Sequence, residues 1–152
     1  MSHMSDNTRE YVTALVRGEL IGLPILRVQD VFVPEGITRV PLAPPEIAGV
    51  INLRGRIVTL VDLRCVLGLP PRADDARPMA IGVETGEESF GLLIDSVGEV
   101  LQLADEEREP NPLHLDPRLA RVSTGIHRLD GRLLLVIDVD RVLALETAAA
   151  AA

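Results

Sequence analysis

Aromatic side chains are scarce in this sequence. Its 152 residues include one tyrosine, two phenylalanines and no tryptophan, so aromatic residues make up only 2% of the chain. Proteins that hold single-stranded nucleic acid stack the bases on aromatic side chains in a basic groove, and a sugar-binding barrel would need similar platforms. The formal net charge of −8 also opposes binding to a phosphate backbone or to an anionic membrane surface. These shortages disfavour nucleic acids, oligosaccharides and lipid surfaces as ligands.

Cysteine pairs, long apolar runs and a secretory leader are missing as well. The lone Cys65 excludes an intramolecular disulfide and is typical of a cytoplasmic protein. Every apolar run is too short to span a bilayer, and the N-terminus lacks the pattern of a signal peptide. We therefore expect a cytoplasmic protein in which residues 1–4 are the remnant of a purification tag and residues 148–152 are a tail.

Groups that carry catalysis do not occur in any recognisable arrangement. His114 and His127 have no second histidine or cysteine at the spacing of a metal site, and no phosphate-binding or nucleophile motif is present. Cys65 would need an activating partner to serve as a catalytic thiol, and it lies among apolar residues. The acidic run Asp105–Glu109 lacks the spacing of a calcium loop. We therefore expect no enzymatic activity, no metal and no cofactor.

An internal repeat is the most informative feature that the sequence does contain. Hydrophobic residues make up 47% of the chain, and most of them are aliphatic. The segment GVINLRGRIVTLVDLRCVLGL (49–69) aligns without a gap with GIHRLDGRLLLVIDVDRVLAL (125–145), and eight of the 21 positions are identical. The identical pairs are Gly49/Gly125, Leu53/Leu129, Gly55/Gly131, Arg56/Arg132, Asp62/Asp138, Val66/Val142, Leu67/Leu143 and Leu69/Leu145.

A second pair of segments repeats upstream in the same order, ELIGLPILRVQDV (19–31) with ESFGLLIDSVGEV (88–100). The two ordered blocks predict two copies of one unit, each with four or five short strands and a terminal helix, which suits a small β-barrel. We therefore predict an all-β fold with short helices. Residues 5–147 would form one domain, with subdomains at about 10–69 and 78–145. Because barrels of this size are marginal alone, we expect them to pack together, and an exchange of terminal strands stays open.

Turns and helix starts follow from the glycines and aspartates that recur in the repeat. The Asp-Gly pair at 130–131 predicts a hairpin with a type I′ turn, and by the repeat the Arg-Gly pair at 54–55 bends the first copy in the same way. The aspartate that ends each second strand is placed to cap a short helix. The residues assigned to structural turns and caps are Gly55, Asp62, Gly131 and Asp138.

The first repeat carries the signature of a known family. The stretch VPLAPPEIAGVINLRGRIVTLVDLR (40–64) resembles the CheW family of chemotaxis coupling proteins, whose pattern is a proline-rich turn, G-V-x-N-L-R-G, apolar residues and D-L-R. The blocks LRVQDV, FGLLIDSVGEVL and LLLVIDVDRVL fit the family in the same order, so the resemblance covers residues 11–145. It implies two SH3-like five-stranded β-barrel subdomains, in agreement with the repeat.

The resemblance implies a non-catalytic adaptor that couples chemoreceptors to a kinase in bacterial chemotaxis. Its partners would be the cytoplasmic signalling tip of chemoreceptors and the CheW-like regulatory domain of the histidine kinase CheA. Other CheW-like domains would join it in rings within receptor arrays at the membrane. Two alternatives stay open: a scaffold of a non-flagellar chemosensory pathway, or a CheW-like domain excised from a larger CheV- or CheA-type protein.

The resemblance also assigns roles to residues position by position. Arg54 is the arginine of N-L-R-G, and Asp30 stands where the family has an acidic residue, usually glutamate, that pairs with it. The positions implied in receptor binding are Val28, Asp30, Gly49, Arg54, Met79, Val97 and Val100. The positions implied in kinase binding are Ile37, Thr38 and Val40, with Leu113 and His114 in a second, array-forming contact.

Arg54 allows two interpretations from sequence. It either shapes the receptor groove together with Asp30, or it braces the hairpin, in which case losing the pair would destabilise the fold. The second copy has Glu99 and Asp130 at the equivalent positions, and two acids cannot form such a bridge. The barrel itself therefore does not require the pair, which favours the functional role.

Overall fold

Two five-stranded sheets make up most of the molecule. A computed structural model describes residues 7–73 and 77–144, and the expected tag and tail lie outside the described residues. The strands are β1 (Thr8–Val16), β2 (Glu19–Pro24), β3 (Asp30–Phe32), β4 (Ile47–Leu53), β5 (Arg56–Asp62), β6 (Met79–Thr85), β7 (Glu88–Ile94), β8 (Ser96–Ala104), β9 (Ser123–Leu129) and β10 (Arg132–Ile137). The short helices are α1 (Leu63–Val66), α2 (Pro117–Ala120) and α3 (139–144), with 3-10 turns at Ile25–Arg27 and Asp105–Glu107. The predicted all-β fold with short helices is confirmed.

Each sheet combines strands from both halves of the chain. Sheet I has the order β3-β6-β7-β5-β4, and sheet II has the order β8-β1-β2-β10-β9. The hairpin β6–β7 joins sheet I through a parallel pairing of β5 with β7, and the hairpin β1–β2 joins sheet II through a parallel pairing of β2 with β10. The predicted limits at 10–69 and 78–145 describe the repeated sequence units and stay a prediction, since each sheet draws on both units.

An equivalent pair of backbone hydrogen bonds ties a long loop to the edge of each sheet. Thr38 and Val50 donate N–H groups to each other's carbonyl oxygens at 2.9 Å in sheet I. Glu109 and Ile126 do the same at 2.8 Å in sheet II. In this way the long segments that follow β3 and β8 are tied to β4 and β9.

A glycine makes each of these closures possible. Gly49 has a φ of 151° and Gly125 a φ of 156°. A Cβ atom on Gly49 would lie 2.5 Å from the carbonyl oxygen of Thr38, and one on Gly125 would lie 2.7 Å from that of Glu109. Because these distances are shorter than any normal contact, the backbone can approach only where the side chain is a single hydrogen.

The hairpin turns differ in detail between the two copies. In the first copy Arg54 and Gly55 have φ values of 56° and 84°, as a type I′ turn requires. In the second copy Gly131 has a φ of 74°, whereas Asp130 is not in the positive-φ region. The predicted type I′ turn at 130–131 is therefore wrong, although the hairpin forms. A positive φ at the second position alone is the type II pattern, which a single glycine satisfies.

The larger hydrophobic core is shared by the two sheets. Its fully buried members include Val16 and Ile21 from sheet II and Val61, Ile81 and Ile94 from sheet I. Burial of this aliphatic surface is the main favourable contribution to folding, at roughly 25 cal/mol per Å². The shared core makes the two sheets one packing unit.

The side chains that each curled sheet encloses differ in composition. Sheet I encloses a separate aliphatic cluster, formed by Ile51, Val58, Leu60, Ala80 and Leu93. In sheet II the repeat places His127 where the first copy has Ile51, and His127 packs beside Tyr11 with ring centroids 6.0 Å apart. Sheet II therefore encloses a polar aromatic pair where sheet I encloses aliphatic side chains.

Candidate functional site

A groove on sheet I brings four charged side chains together. Its volume is about 290 Å³, and it is lined by Asp30 of β3, Arg54 of the β4–β5 turn, Arg56 of β5 and Glu84 of β6. Apolar side chains also line it, namely Phe32, Leu53, Val58, Val83 and Phe90. We refer to these residues as the charged groove. Two cations and two acids around an apolar lining are suited to a partner that is itself amphipathic.

A glycine on the neighbouring strand makes room for Asp30. Asp30 lies opposite Gly82 in the β3–β6 pairing, and the Gln29 N–H donates to the Gly82 carbonyl at 2.7 Å. A Cβ atom on Gly82 would collide with the Asp30 carboxylate. The acid therefore lies directly over the sheet, at the edge of the groove.

The expected ion pair between Arg54 and Asp30 is not formed. Among the described residues, the ion pair within the charged groove joins Arg56 Nη1 to Glu84 Oε2 at 2.7 Å, and none within 4.0 Å involves Arg54. Arg54 is exposed at the tip of a hairpin, and aspartate is one methylene shorter than the glutamate usual in the family. Arg54 and Asp30 therefore share a groove without neutralising each other.

The other positions assigned to receptor binding are spread over the molecule. Val28, Met79 and Val97 are partly buried against the shared core, whereas Val100 on β8 is 48% exposed. Gly49 is buried beneath the segment that carries Thr38. The structure thus brings Asp30 and Arg54 into one groove, and their role in receptor binding stays a prediction.

A second depression, of about 260 Å³, occupies the equivalent place on sheet II and includes Val97. Glu99 and Arg132 line it at the positions that Asp30 and Arg56 hold in the first copy. Leu15 of sheet II stands where sheet I has Glu84, so this depression is the more apolar of the two. The two depressions thus occupy equivalent places on their sheets, but their lining side chains differ in polarity.

The residues assigned to kinase binding lie on two separate loops. Ile37 and Val40 are 41% and 42% exposed on the segment between β3 and β4, and the Thr38 backbone ties that segment to β4. We call this segment the 37–42 loop. Leu113 and His114 are exposed in a turn before α2, and the Leu113 side chain is fully open to solvent. Two loops at separate places are compatible with two different contacts.

The recurring aspartates and glycines stabilise turns and helix starts. The Asp62 carboxylate accepts from the Arg64 N–H at 3.0 Å at the start of α1. Asp138 accepts from the Arg141 N–H at 3.1 Å at the start of α3. In the β4–β5 turn, the Gly55 N–H donates to Asn52 Oδ1 at 2.9 Å.

An ion-pair cluster that the sequence did not predict lies between the sheets. Arg64 of α1 donates to Asp95 through Nε at 3.0 Å and Nη2 at 2.6 Å, and Arg72 lies 3.4 Å from the same carboxylate. The Arg17 N–H, in the β1–β2 turn of sheet II, also donates to Asp95 at 2.8 Å. Partial burial raises the pKa of Asp95, but the Arg64 and Arg17 hydrogen bonds together with the Arg64 and Arg72 charges outweigh it and hold this pKa below its usual value. No local spacing signals the cluster, because its members come from distant parts of the chain.

Arg56 was missed although a signal was present. It is identical to Arg132 in the repeat, and each arginine lines the groove or depression of its own sheet. An identical charged residue at the same register in two copies was the available indication.

The surroundings of Cys65 do not activate its thiol. Burial raises the pKa of the Cys65 thiol, and the Glu46 and Asp62 carboxylates raise it further, so the thiolate is disfavoured. Within residues 7–73 and 77–144, no group of three or more His, Cys, Asp and Glu side chains could hold a metal ion. Within the same ranges, no helix has both the length and the apolarity needed to cross a membrane.

Comparison with known proteins identifies the family. The model of the CheW-like domain matches residues 10–147. The chemotaxis protein CheW of Klebsiella aerogenes is 30% identical over 138 residues, which cover 91% of this chain and 83% of that protein. CheW of Bacillus subtilis is also 30% identical, over 92% of this chain and 90% of that protein. The crystal structure of the scaffolding protein TtCheW from Thermoanaerobacter tengcongensis superposes with a TM-score of 0.75 at 31% identity, covering 86% of this chain and 88% of that one. The chain, with its two exchanged five-stranded sheets and its N-L-R-G hairpin, belongs to the CheW-like domain family.

Proposed function

We propose that this chain is a non-catalytic adaptor that couples chemoreceptors to a CheA-type histidine kinase in bacterial chemotaxis. The observation that carries the proposal is that one shared core supports two exposed surfaces of different chemistry. The charged groove holds two acidic and two basic side chains, and the 37–42 loop presents aliphatic ones. An adaptor needs two such surfaces so that both partners can bind at the same time.

The charged groove is the surface that we assign to the receptor tip. Asp30 and Arg54 are not paired with each other, so each can accept an opposite charge from an amphipathic helical hairpin. The apolar lining, which includes Phe32 and Phe90, can bury the apolar face of that hairpin. Val28, Met79, Val97, Val100 and Gly49 would contribute around it.

The 37–42 loop is the surface that we assign to the regulatory domain of the kinase. Ile37 and Val40 are partly exposed aliphatic side chains on a loop whose backbone is tied to β4 through Thr38. The loop that carries Leu113 and His114 would make a second contact with CheW-like domains in rings. Individual affinities would be modest, and an array recruited to the membrane would raise the effective concentration of each partner.

Kinase binding is tested by calorimetric titration with the isolated CheW-like domain of a CheA from the same genome, at two salt concentrations. Saturable one-to-one binding is expected, and Ile37→Asp should abolish it because a buried unpaired carboxylate is costly. Ile57→Asp is the matched control, since Ile57 on β5 is 62% exposed and lies outside the 37–42 loop. A folded sample that binds no kinase domain from that genome would refute the proposal. Binding only to the kinase of a non-flagellar system would favour the pathway alternative.

Receptor binding is tested with Arg54→Ala in a pull-down with a soluble receptor tip. The Arg54 side chain has no ion pair among the described residues, and alanine keeps the same Cβ in the turn. The free energy of unfolding should therefore change by no more than about 0.5 kcal/mol, while receptor capture falls. Arg128→Ala is the control, because Arg128 is an exposed arginine that pairs with Glu109 away from the groove. A variant that captures receptor like the wild type would contradict the assignment, and one that unfolds would support hairpin bracing.

A further inference from the structure

Leu42 adopts a backbone conformation that leucine ordinarily avoids. Its φ is 65°, and the Ala43 N–H donates to the Val40 carbonyl at 3.2 Å, which closes a four-residue turn around Pro41 and Leu42. A turn with proline second and a positive φ third is of type II, and its third position favours glycine or asparagine. Leucine is unfavourable there because its Cβ approaches a carbonyl oxygen.

The fold gains no packing from this strained residue. The Leu42 side chain is fully exposed, at 104% of its reference area. The other non-glycine residues with positive φ in the described chain, Arg17 and Arg54, are in hairpin turns and precede a glycine. Leu42 is therefore a place where the backbone is strained and the apolar side chain is held in water, and such outliers cluster at functional sites.

The loop presents this side chain on a stiff support. Thr38 is hydrogen-bonded in both directions to Val50. Pro41 fixes its own φ inside the turn, and the Ile47 N–H donates to the carbonyl of Pro44 at 2.9 Å just beyond it. A side chain held in this way loses little conformational entropy when a partner covers it.

The surroundings indicate a protein partner with a complementary apolar surface. Ile37 and Val40 lie on the same loop, so Leu42 extends the apolar surface assigned to the kinase. A depression of about 350 Å³, lined in part by Val40 and Ala43, opens beside the turn and could receive a side chain in return. A second copy of this chain is disfavoured as the partner, because two molecules of net charge −8 repel each other.

We propose that Leu42 is the anchor of the kinase-facing surface and that it inserts into an apolar pocket of the kinase regulatory domain. The inference rests on the proposed function and adds a residue that the family resemblance did not assign. Anchors of this kind carry much of the binding energy of an interface, because they are fully desolvated at its centre.

The experiment compares two leucines that are exposed to a similar extent. Leu26 is 93% exposed, lies in the 3-10 turn after β2, and has a φ that is not positive. Alanine and glycine are introduced separately at each position. Binding to the kinase regulatory domain is measured by calorimetry, thermal midpoints by circular dichroism, and self-association by sedimentation.

Leu42→Ala and Leu42→Gly should each weaken kinase binding by about tenfold or more, whereas Leu26→Ala should leave it unchanged. At position 42 the glycine variant should be more stable than the alanine variant, because glycine adopts a positive φ without the steric cost that a Cβ atom brings. At position 26 the order should be reversed. This combination of lost binding with relieved strain separates a contact residue from a structural one.

Several outcomes would overturn the inference. If the wild type binds the kinase domain and Leu42→Ala binds equally well, Leu42 is not the anchor, although the proposed function stands. Equal losses from Leu26→Ala and Leu42→Ala would indicate general surface hydrophobicity. A wild type that dimerises through Leu42 without binding the kinase domain would make a second copy the occupant. A wild type that binds no kinase domain at all would refute both proposals.

Discussion

A histidine occupies a position inside sheet II that its repeat counterpart fills with isoleucine. The side chain of His127 is buried beside Tyr11, and its Nε2 atom has no hydrogen-bond partner within the described part of the chain. Burial lowers the pKa of His127, and the Arg108 charge lowers it further, against smaller opposing contributions from Glu107, Asp105 and Glu109. The neutral imidazole is therefore the form that the fold accommodates.

Replacing His127 with the isoleucine of the first copy should make stability less dependent on pH. Below a pH of about 6.5 the unfolded chain binds a proton that folded His127 resists, so stability is lost as the pH falls. This contribution reaches at most about 1.4 kcal/mol per pH unit. Urea unfolding at pH 7 and pH 5 should show a smaller difference for His127→Ile than for the wild type. His114→Gln, at an exposed histidine, should behave like the wild type; an unchanged pH difference in His127→Ile would count against a buried neutral histidine.

The sequence could predict which charged residues matter more readily than how they pair. The repeat and the N-L-R-G signature drew attention to Arg54 and Asp30, and both line one groove. Their separation depends on a turn conformation and on one missing methylene, which no pattern in the sequence encodes. The pair that does form, Arg56 with Glu84, joins residues of different repeat units, and pairing across units is not visible from spacing.

At the scale of strands and turns, the closures at Gly49 and Gly125 leave no room for a Cβ atom beside the backbone of the closing segment. Gly49→Ala and Gly125→Ala should each destabilise the protein, because the new methyl group meets a carbonyl oxygen of the closing segment. Gly86→Ala is the matched control, since Gly86 has a φ of 61° and open space around its Cβ position.

Gly86→Ala should lower the free energy of unfolding by about 1 kcal/mol, because alanine is strained at a positive φ even where its methyl group meets no neighbour. The two closure variants should lose a further 1–3 kcal/mol or so from overpacking. Chemical denaturation of the three variants measures the difference. Equal losses in all three would mean that the closing segments simply move aside, and that the close approach in sheet I and sheet II has no energetic consequence.

Strands, hairpins and helix starts were easier to predict from the sequence than turn types and contacts between distant segments. Alternating aliphatic residues and the recurring glycines indicated strands and hairpins, and Asp62 and Asp138 both accept backbone N–H groups where a helix begins. The predicted type I′ turn at Asp130 was wrong, because Asp130 does not adopt the positive φ that this turn type requires. The closing bonds at Thr38 and Glu109 could not be foreseen, because they join segments whose approach is set only by the complete sheet.

At the scale of the whole molecule, the exchanged hairpins make the two halves depend on each other. The repeat predicted two related units, but it could not show that β1–β2 completes the sheet of β8, β9 and β10. Fragments 7–69 and 78–144 should therefore be largely unfolded alone, since each lacks the partner strands of its own sheets. Mixed at equal concentrations, they should regain β-structure and unfold in one transition.

Circular dichroism of the separate and mixed fragments measures this dependence. A cooperative thermal transition in either fragment alone would show that a half-chain can fold without its partner. The cluster around Asp95 also links the two sheets, because it joins the β1–β2 turn to α1.

In the intact chain, Asp95→Ala should leave the largely buried Arg64 without its ion pair. The free energy of unfolding, measured by chemical denaturation, should fall by about 2 kcal/mol or more.

The exchange of hairpins also determines when the protein can finish folding during its synthesis. Within the described chain the hairpin β1–β2 is synthesised before the other strands, yet the strands on either side of it are β8 and β10, the latter ending at Ile137. At about 5–20 residues per second, the first hairpin waits on the order of ten seconds for its partners. Throughout that interval its strand edges and aliphatic faces are open to any other chain nearby. The first hairpin of this domain to be synthesised is thus among the last to be covered.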